Sequence, residues 1–160
     1  MDQDALKDLL TRLHQGKDTI ENTMERLKNL PFEDVGFACI DHHRPLRKGL
    51  SEVIFGQGKE PDDILVIMDR MLNAGDNVLV TRLTTEKAEI IRDRFPDSTY
   101  YKKSRILTLI RRPIKISGRG PILVMSAGTS DIPVAEEAVE TARFMGNEVD
   151  AVFDVGVSGI

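Results

Sequence analysis

Six consecutive small or polar residues, Ser126, Ala127, Gly128, Thr129, Ser130 and Asp131, carry the clearest chemistry in the sequence. Three hydroxyls, a carboxylate and a glycine that lets backbone N–H groups approach a ligand are the groups that hold phosphate and ribose. Ahead of them, residues 122–125 form a continuous apolar run, as expected of a strand buried on both faces. Behind them, Val134, Ala138, Ala142 and Met145 recur at helical spacing, with Glu136, Glu137, Glu140 and Arg143 directed elsewhere. Pro133 suits a first helical turn and Gly146 a left-handed cap. A second apolar run covers residues 149–155, so the pattern predicts a parallel strand–helix–strand unit with a right-handed crossover. The loop then leaves the carboxyl end of a strand and enters a helix N-terminus, where unpaired N–H groups favour an anion. Ser130 or Asp131 could equally cap that helix, which explains either residue alone. No P-loop or G-x-G-x-x-G spacing occurs.

Three other groups could do chemistry. Asp41, His42, His43 and Arg44 cluster at the end of an expected strand over residues 36–40. Adjacent histidines on a strand point to opposite faces, which weakens a metal reading, and no metal site is expected. His43 or Arg44 could reach a nucleotide phosphate, and a solvated turn is the plainer alternative. Cys39 is the single cysteine, which excludes an internal disulfide, and its place in an apolar run reads as a small packed hydrophobe. Lys102, Lys103, Arg105, Arg111, Arg112, Lys115 and Arg119 form a basic run. A solvated face is the favoured reading of that run, and a cationic wall beside the anion loop is the sharper one.

The elements that must position these groups follow from periodicity. Leu6, Leu9, Leu10 and Leu13 predict a helix over residues 4–15, stopped by Gly16. A second helix is expected over 19–30, with Asp18 as its cap and Ile20, Met24 and Leu27 on its apolar face. Neither helix carries enough apolar surface to stand alone, so both are expected to dock on the next module or on a neighbouring subunit. Strands are expected at 36–40, 52–55, 77–81 and 105–110, and helices at 62–72 and 85–95. The reading is an α/β chain: a helical pair (1–35), a small α/β module (36–115), and a first strand–helix–strand unit (116–160) after a connector at 111–120. A two-stranded unit is not self-sufficient, so the chain is expected to be the front of a longer polypeptide.

With 160 residues, 41% of them hydrophobic, the chain can bury one good core or two small ones. A net charge of −4 argues against a nucleic-acid-binding surface. No apolar run approaches the roughly 20 residues that span a bilayer, and Met1-Asp2-Gln3-Asp4 does not begin a signal peptide. A cytoplasmic protein without a membrane partner is expected.

Three segments together resemble the nickel-pincer cofactor biosynthesis family LarB, related to phosphoribosylaminoimidazole carboxylase (PurE). They are NLPFEDVGFACIDHHRPLRKGLSEVIFGQGK, SAGTSDIPVAEEA and GNEVDAVFDVGVSGI. The second is also similar to the PurE phosphate loop Gly-Ser-x-Ser-Asp, here Ala127-Gly128-Thr129-Ser130-Asp131, in which the closing Ser-Asp is identical. The resemblance implies that residues 116–160 begin a PurE-like (flavodoxin-like) parallel-sheet domain. It implies carboxylation of the pyridinium ring of nicotinic acid adenine dinucleotide and cleavage of its phosphoanhydride, releasing AMP and pyridinium-3,5-biscarboxylic acid mononucleotide. Carbon dioxide or bicarbonate would be the co-substrate, with no tightly bound cofactor and room for Mg2+. By position, Ser126, Gly128, Thr129, Ser130 and Asp131 would hold phosphate and ribose, and Gly156, Val157, Ser158 and Gly159 would approach the pyridinium. Asp131 is the one candidate catalytic group, since the family's reactive cysteine and acidic residue fall beyond Ile160. The chain alone is therefore expected to be inactive, and a homo-oligomer is expected. The alternatives are a PurE-like aminoimidazole ribonucleotide carboxylase or mutase, and a non-catalytic nucleotide-binding or assembly module.

Overall fold

A computed structural model describes residues 3–28, 32–44, 46 and 51–156. The helical pair is present as α1 (Gln3–His14) and α2 (Ile20–Leu27). Thr19 caps α2, its hydroxyl accepting from Asn22 N–H at 3.2 Å. Asp18, the expected cap, instead accepts from the N–H of Thr19 at 3.0 Å. The apolar face of α2 is also not the one expected. Ile20 and Met24 are exposed, while Thr23 is buried, its hydroxyl satisfied by donation to Thr19 O. Such a bond removes the desolvation cost of burying the polar side chain.

The expected strand over 36–40 is shortened to β2 (Cys39–Ile40), which pairs antiparallel with β1 (Glu33–Asp34) in a separate two-stranded ribbon. Gly36, at φ +91, turns the chain between them, and its N–H is held by Asp34 Oδ1 at 2.8 Å. Cys39 lies on the exposed side of this ribbon, which corrects the packed reading of that residue. Two-residue strands have one covered side, and Ile40 takes it.

The main sheet has four strands in the order β3 (Val53–Phe55), β4 (Val78–Thr81), β6 (Ile106–Leu109), β5 (Thr99–Tyr101). β3 runs parallel to β4 across helix α3 (Pro61–Asn73), and the other neighbours are antiparallel. Helix α4 (Thr85–Arg94) follows β4, capped by Thr84. Alternation along β4 and β6 explains why both strands are buried throughout. Val78, Val80, Leu107 and Leu109 share the large core with Ile64, Met68, Met71 and Ile91 of the two helices. Leu79 and Ile106 point the other way, onto Phe144.

Phe144 belongs to α5 (Ile132–Phe144), which joins parallel strands β7 (Ile122–Met125) and β8 (Val149–Val152). The strand–helix–strand unit is therefore as expected, with two corrections. The buried stripe of α5 is Ala135, Val139 and Phe144, and Val134 and Ala138 are exposed. The helix turns that stripe inward because Phe144 must reach Leu79 and Ile106. In β7, Ile122, Leu123 and Met125 are all at least 39% exposed, not buried on both faces, because only one neighbouring strand is paired with it. Gly146 closes α5 at φ +77, and its carbonyl accepts from Ser117 and Gly118 N–H, so the connector is laid onto the end of the helix.

Candidate functional site

The loop after β7 forms as the sequence predicts. Ser126 N–H donates to Val152 O and Val155 N–H donates to Ser126 O, both at 3.1 Å, extending the parallel pairing into the two loops at the strands' carboxyl ends. The loops touch at glycine: a Cβ on Gly156 would lie 2.8 Å from Ala127 O, so a side chain there would force the loops apart. Thr129–Asp131 makes one 3-10 turn that runs directly into α5. Gly128, Thr129, Ser130 and Asp131 thus stand with Gly156 at one edge, and Thr129, Ser130 and Asp131 are exposed. Val157, Ser158 and Gly159 lie outside the described residues.

Two details separate a ligand cradle from a simple cap. Asp131, at the N-cap position of α5, makes no side-chain cap hydrogen bond, and none is made at Gly128. By contrast, Thr19 and Thr84 do cap their helices. The start of α5 thus has no side-chain acceptor, as at α3, and the N–H groups of Asp131 and Ile132 bond back to Gly128 O and Thr129 O in the 3-10 turn. Moreover, Ser126 is 93% buried and its hydroxyl has no hydrogen-bond partner. A buried hydroxyl left unpaired costs on the order of 1–3 kcal/mol, which a ligand or water oxygen would recover. A Cβ on Gly128 would meet only Asp131 Oδ2 at 3.6 Å and Ser130 Oγ at 3.8 Å, so the fold itself tolerates a side chain there.

Asp41, His42, His43 and Arg44 follow directly on β2, at a strand end as expected, and begin a turn there. His42 is buried with Nε2 3.0 Å from Glu33 Oε2, and Glu33 also lies 3.5 Å from Arg70 Nη1. His42 Nδ1 is buried without a partner. Asp41 Oδ1 accepts from His43 N–H at 3.0 Å, and Asp41 N–H donates to Glu52 at 2.9 Å. Nearby Asp76 has its carboxyl raised above the usual range by burial, which outweighs the positive charges around it. The bonds of Asp41 and His42 to His43, Glu33 and Glu52 do not reach the loop at 126–131. Nor does any group of three or more His, Cys, Asp or Glu there have the arrangement of a metal site. An apolar groove along α1, lined by Leu6, Leu10 and His14, shares no residue with the loop.

The basic run is largely paired. Arg111 meets Asp97, Lys115 meets Asp4 at 2.8 Å and holds that carboxyl low, and Lys103 lies 3.6 Å from Glu136 of α5. Arg82, which sequence reasoning passed over, makes the tightest pair: its Nε lies 2.6 and 2.8 Å from the two carboxylate oxygens of Glu137. Arg82 stands directly after the carboxyl end of β4 and before a helix, the same placement that marks the loop after β7. That placement is the signal that could have found it.

No helix among the described residues is long and apolar enough to cross a membrane. The LarB/PurE-like N-terminal domain model matches residues 32–112, from the ribbon to the end of the four-stranded sheet. Over 163 aligned residues the chain is 30% identical to uncharacterized protein MJ0165 of Methanocaldococcus jannaschii, covering 97% of this chain. The chain spans 63% of that relative's length.

Proposed function

This chain belongs to the LarB/PurE-like family, and from that premise we propose that it is part of an enzyme that carboxylates the pyridinium ring of nicotinic acid adenine dinucleotide and cleaves its phosphoanhydride. The observation that carries the proposal is the buried, unpartnered Ser126 hydroxyl in the loop that leads into α5. In this reading Gly128, Thr129, Ser130 and Asp131 receive a phosphate and its ribose, and the loop containing Gly156 faces the pyridinium end. Gly128 lets N–H groups approach the phosphate oxygens, which the dipole of α5 favours. Asp131, exposed at the start of α5, orients a ribose hydroxyl and is the candidate proton acceptor. Carbon dioxide or bicarbonate is the proposed co-substrate, and no tightly bound cofactor is required of these residues.

The same reading divides the chain into a helical pair (1–35), an α/β module (36–115) and the start of the catalytic domain (116–160), in a cytoplasmic homo-oligomer. The exposed Leu123 and Met125 of β7 support further packing on that sheet. Isothermal titration with nicotinic acid adenine dinucleotide tests the proposal. The chain is expected to bind it, and Gly128→Val is expected to abolish binding with the melting temperature preserved. Equal binding by the two proteins would refute the site.

A further inference from the structure

We infer that the four-stranded sheet supplies the cationic side of this ligand site, through Arg105, and that Arg105 meets the second phosphate of a dinucleotide. The inference rests on the proposed placement of a phosphate at the loop after β7. Four cations gather at one end of the sheet: Arg82 after β4, and Lys102, Lys103 and Arg105 in the turn between β5 and β6. Leu83 N–H donates to Arg105 O at 2.8 Å, which locks the two segments together. Arg82 and Lys103 are neutralised by Glu137 and Glu136 of α5. Arg105 is exposed, and its guanidinium makes a single long contact, Nη2 donating to Arg82 O at 3.5 Å. It has no carboxylate partner among the described residues.

The ion pairs fix where this surplus charge lies. Glu137 shares its helix face with Pro133, one turn nearer the N-terminus of α5. At 1.5 Å per residue the phosphate loop begins about 10 Å along the axis from Glu137. The sheet end is therefore held beside the N-terminal half of the helix that receives the phosphate. That half carries Glu136 and Glu137, and Asp131 directly precedes it, so an anionic ligand would be repelled unless cations offset those carboxylates. Arg82 and Lys103 offset two of them, and Arg105 adds an attractive charge. The buried Ser126 hydroxyl provides an independent mark of a ligand at the loop. A single phosphate fits the loop alone. A guanidinium set beyond it, able to grip two oxygens at once, fits a diphosphate.

Titrations with nicotinic acid adenine dinucleotide, which has two phosphates, and nicotinic acid mononucleotide, which has one, separate the possibilities. Arg105→Gln is expected to weaken dinucleotide binding about tenfold or more and mononucleotide binding less than about threefold, as loss of one charge-assisted contact implies. Arg105→Lys is expected to recover part of the loss, and melting temperatures confirm that both variants fold. If Arg105→Gln binds both ligands like the parent while Gly128→Val binds neither, Arg105 has no such role and the loop assignment stands. Equal weakening of both ligands would also overturn the inference. If the parent binds neither, the loop assignment falls and the inference falls with it.

Discussion

Arg82 Nε and Glu137 Oε2 lie 2.6 Å apart, tying the carboxyl end of β4 to the helix that follows the phosphate loop. The carboxylate holds the guanidinium pKa above its ordinary value. Arg82 adopts φ +55, a left-handed conformation that costs a non-glycine residue on the order of 1 kcal/mol. The helix is thus joined to the sheet by charge near its N-terminal half and by Phe144 at its C-terminal end.

The pair is expected to behave as a unit. Arg82→Ala and Glu137→Ala should each lower stability, and the double variant by clearly less than the sum of the two losses, because the two side chains share one interaction. Urea denaturation of the four proteins measures the coupling. Strictly additive losses would show that the contact contributes nothing.

Phe144 is 8% exposed and packs on Leu79 and Ile106. Phe144→Ala is expected to cost about 3 kcal/mol through lost burial and the cavity left behind. Hydrogen exchange should quicken at Leu79 and Ile106 as the uncovered face opens. A loss below about 1 kcal/mol would mean that the helix is not held there.

Helix caps offer an internal contrast. Thr19→Ala removes an observed cap and should cost about 1 kcal/mol, whereas Asp131→Ala removes none and should cost less than about 0.5 kcal/mol. Thermal denaturation compares them directly. A larger loss for Asp131→Ala would restore Asp131 as a cap and weaken its role toward a ligand.

Asp76 sets a pH dependence. Burial raises its carboxyl pKa, so the folded chain holds that proton more tightly than the unfolded chain does. Its stabilising contribution is complete below the unfolded value of 3.8 and is lost as pH rises through the raised folded value. Asp76→Asn should therefore gain stability relative to the parent as pH rises from about 4 to 7. If the parent instead gains on the variant over that range, the attraction of the positive charges around Asp76 outweighs burial.

Arg105 also adopts φ +55, where glycine carries no steric penalty. Arg105→Gly is expected to leave stability within about 0.5 kcal/mol of the parent or above it, the relieved strain offsetting the looser unfolded chain. Dinucleotide binding should nevertheless weaken. Unchanged binding would argue that the arginine is there for other reasons.

Much of this architecture could be read from periodicity. Residues 122–125, 132–144 and 149–152 declared a parallel unit because apolar runs and Gly146 set its limits locally. The helix face was misread because Val134 and Ala138 satisfy the spacing, while the packing that decides the face comes from Leu79 and Ile106, far away in sequence. Strand β5 escaped notice because Thr99–Tyr101 is short and only its pairing with β6 defines it. Cys39 and Ile40 looked like part of a longer strand until Gly36 turned the chain. At the site, the loop residues were visible as a run of hydroxyls and glycine. The orphaned state of the Ser126 hydroxyl and the Arg82–Glu137 pair depend on tertiary contacts that no spacing encodes.

The most direct measurement is an amide chemical-shift titration of the isotopically labelled chain with nicotinic acid adenine dinucleotide. Saturable shifts are expected at Ser126, Gly128, Thr129, Ser130, Asp131 and Gly156, with weaker ones at Arg105. Saturable shifts confined to residues 41–44, or the absence of any shift at the loop after β7, would contradict the account.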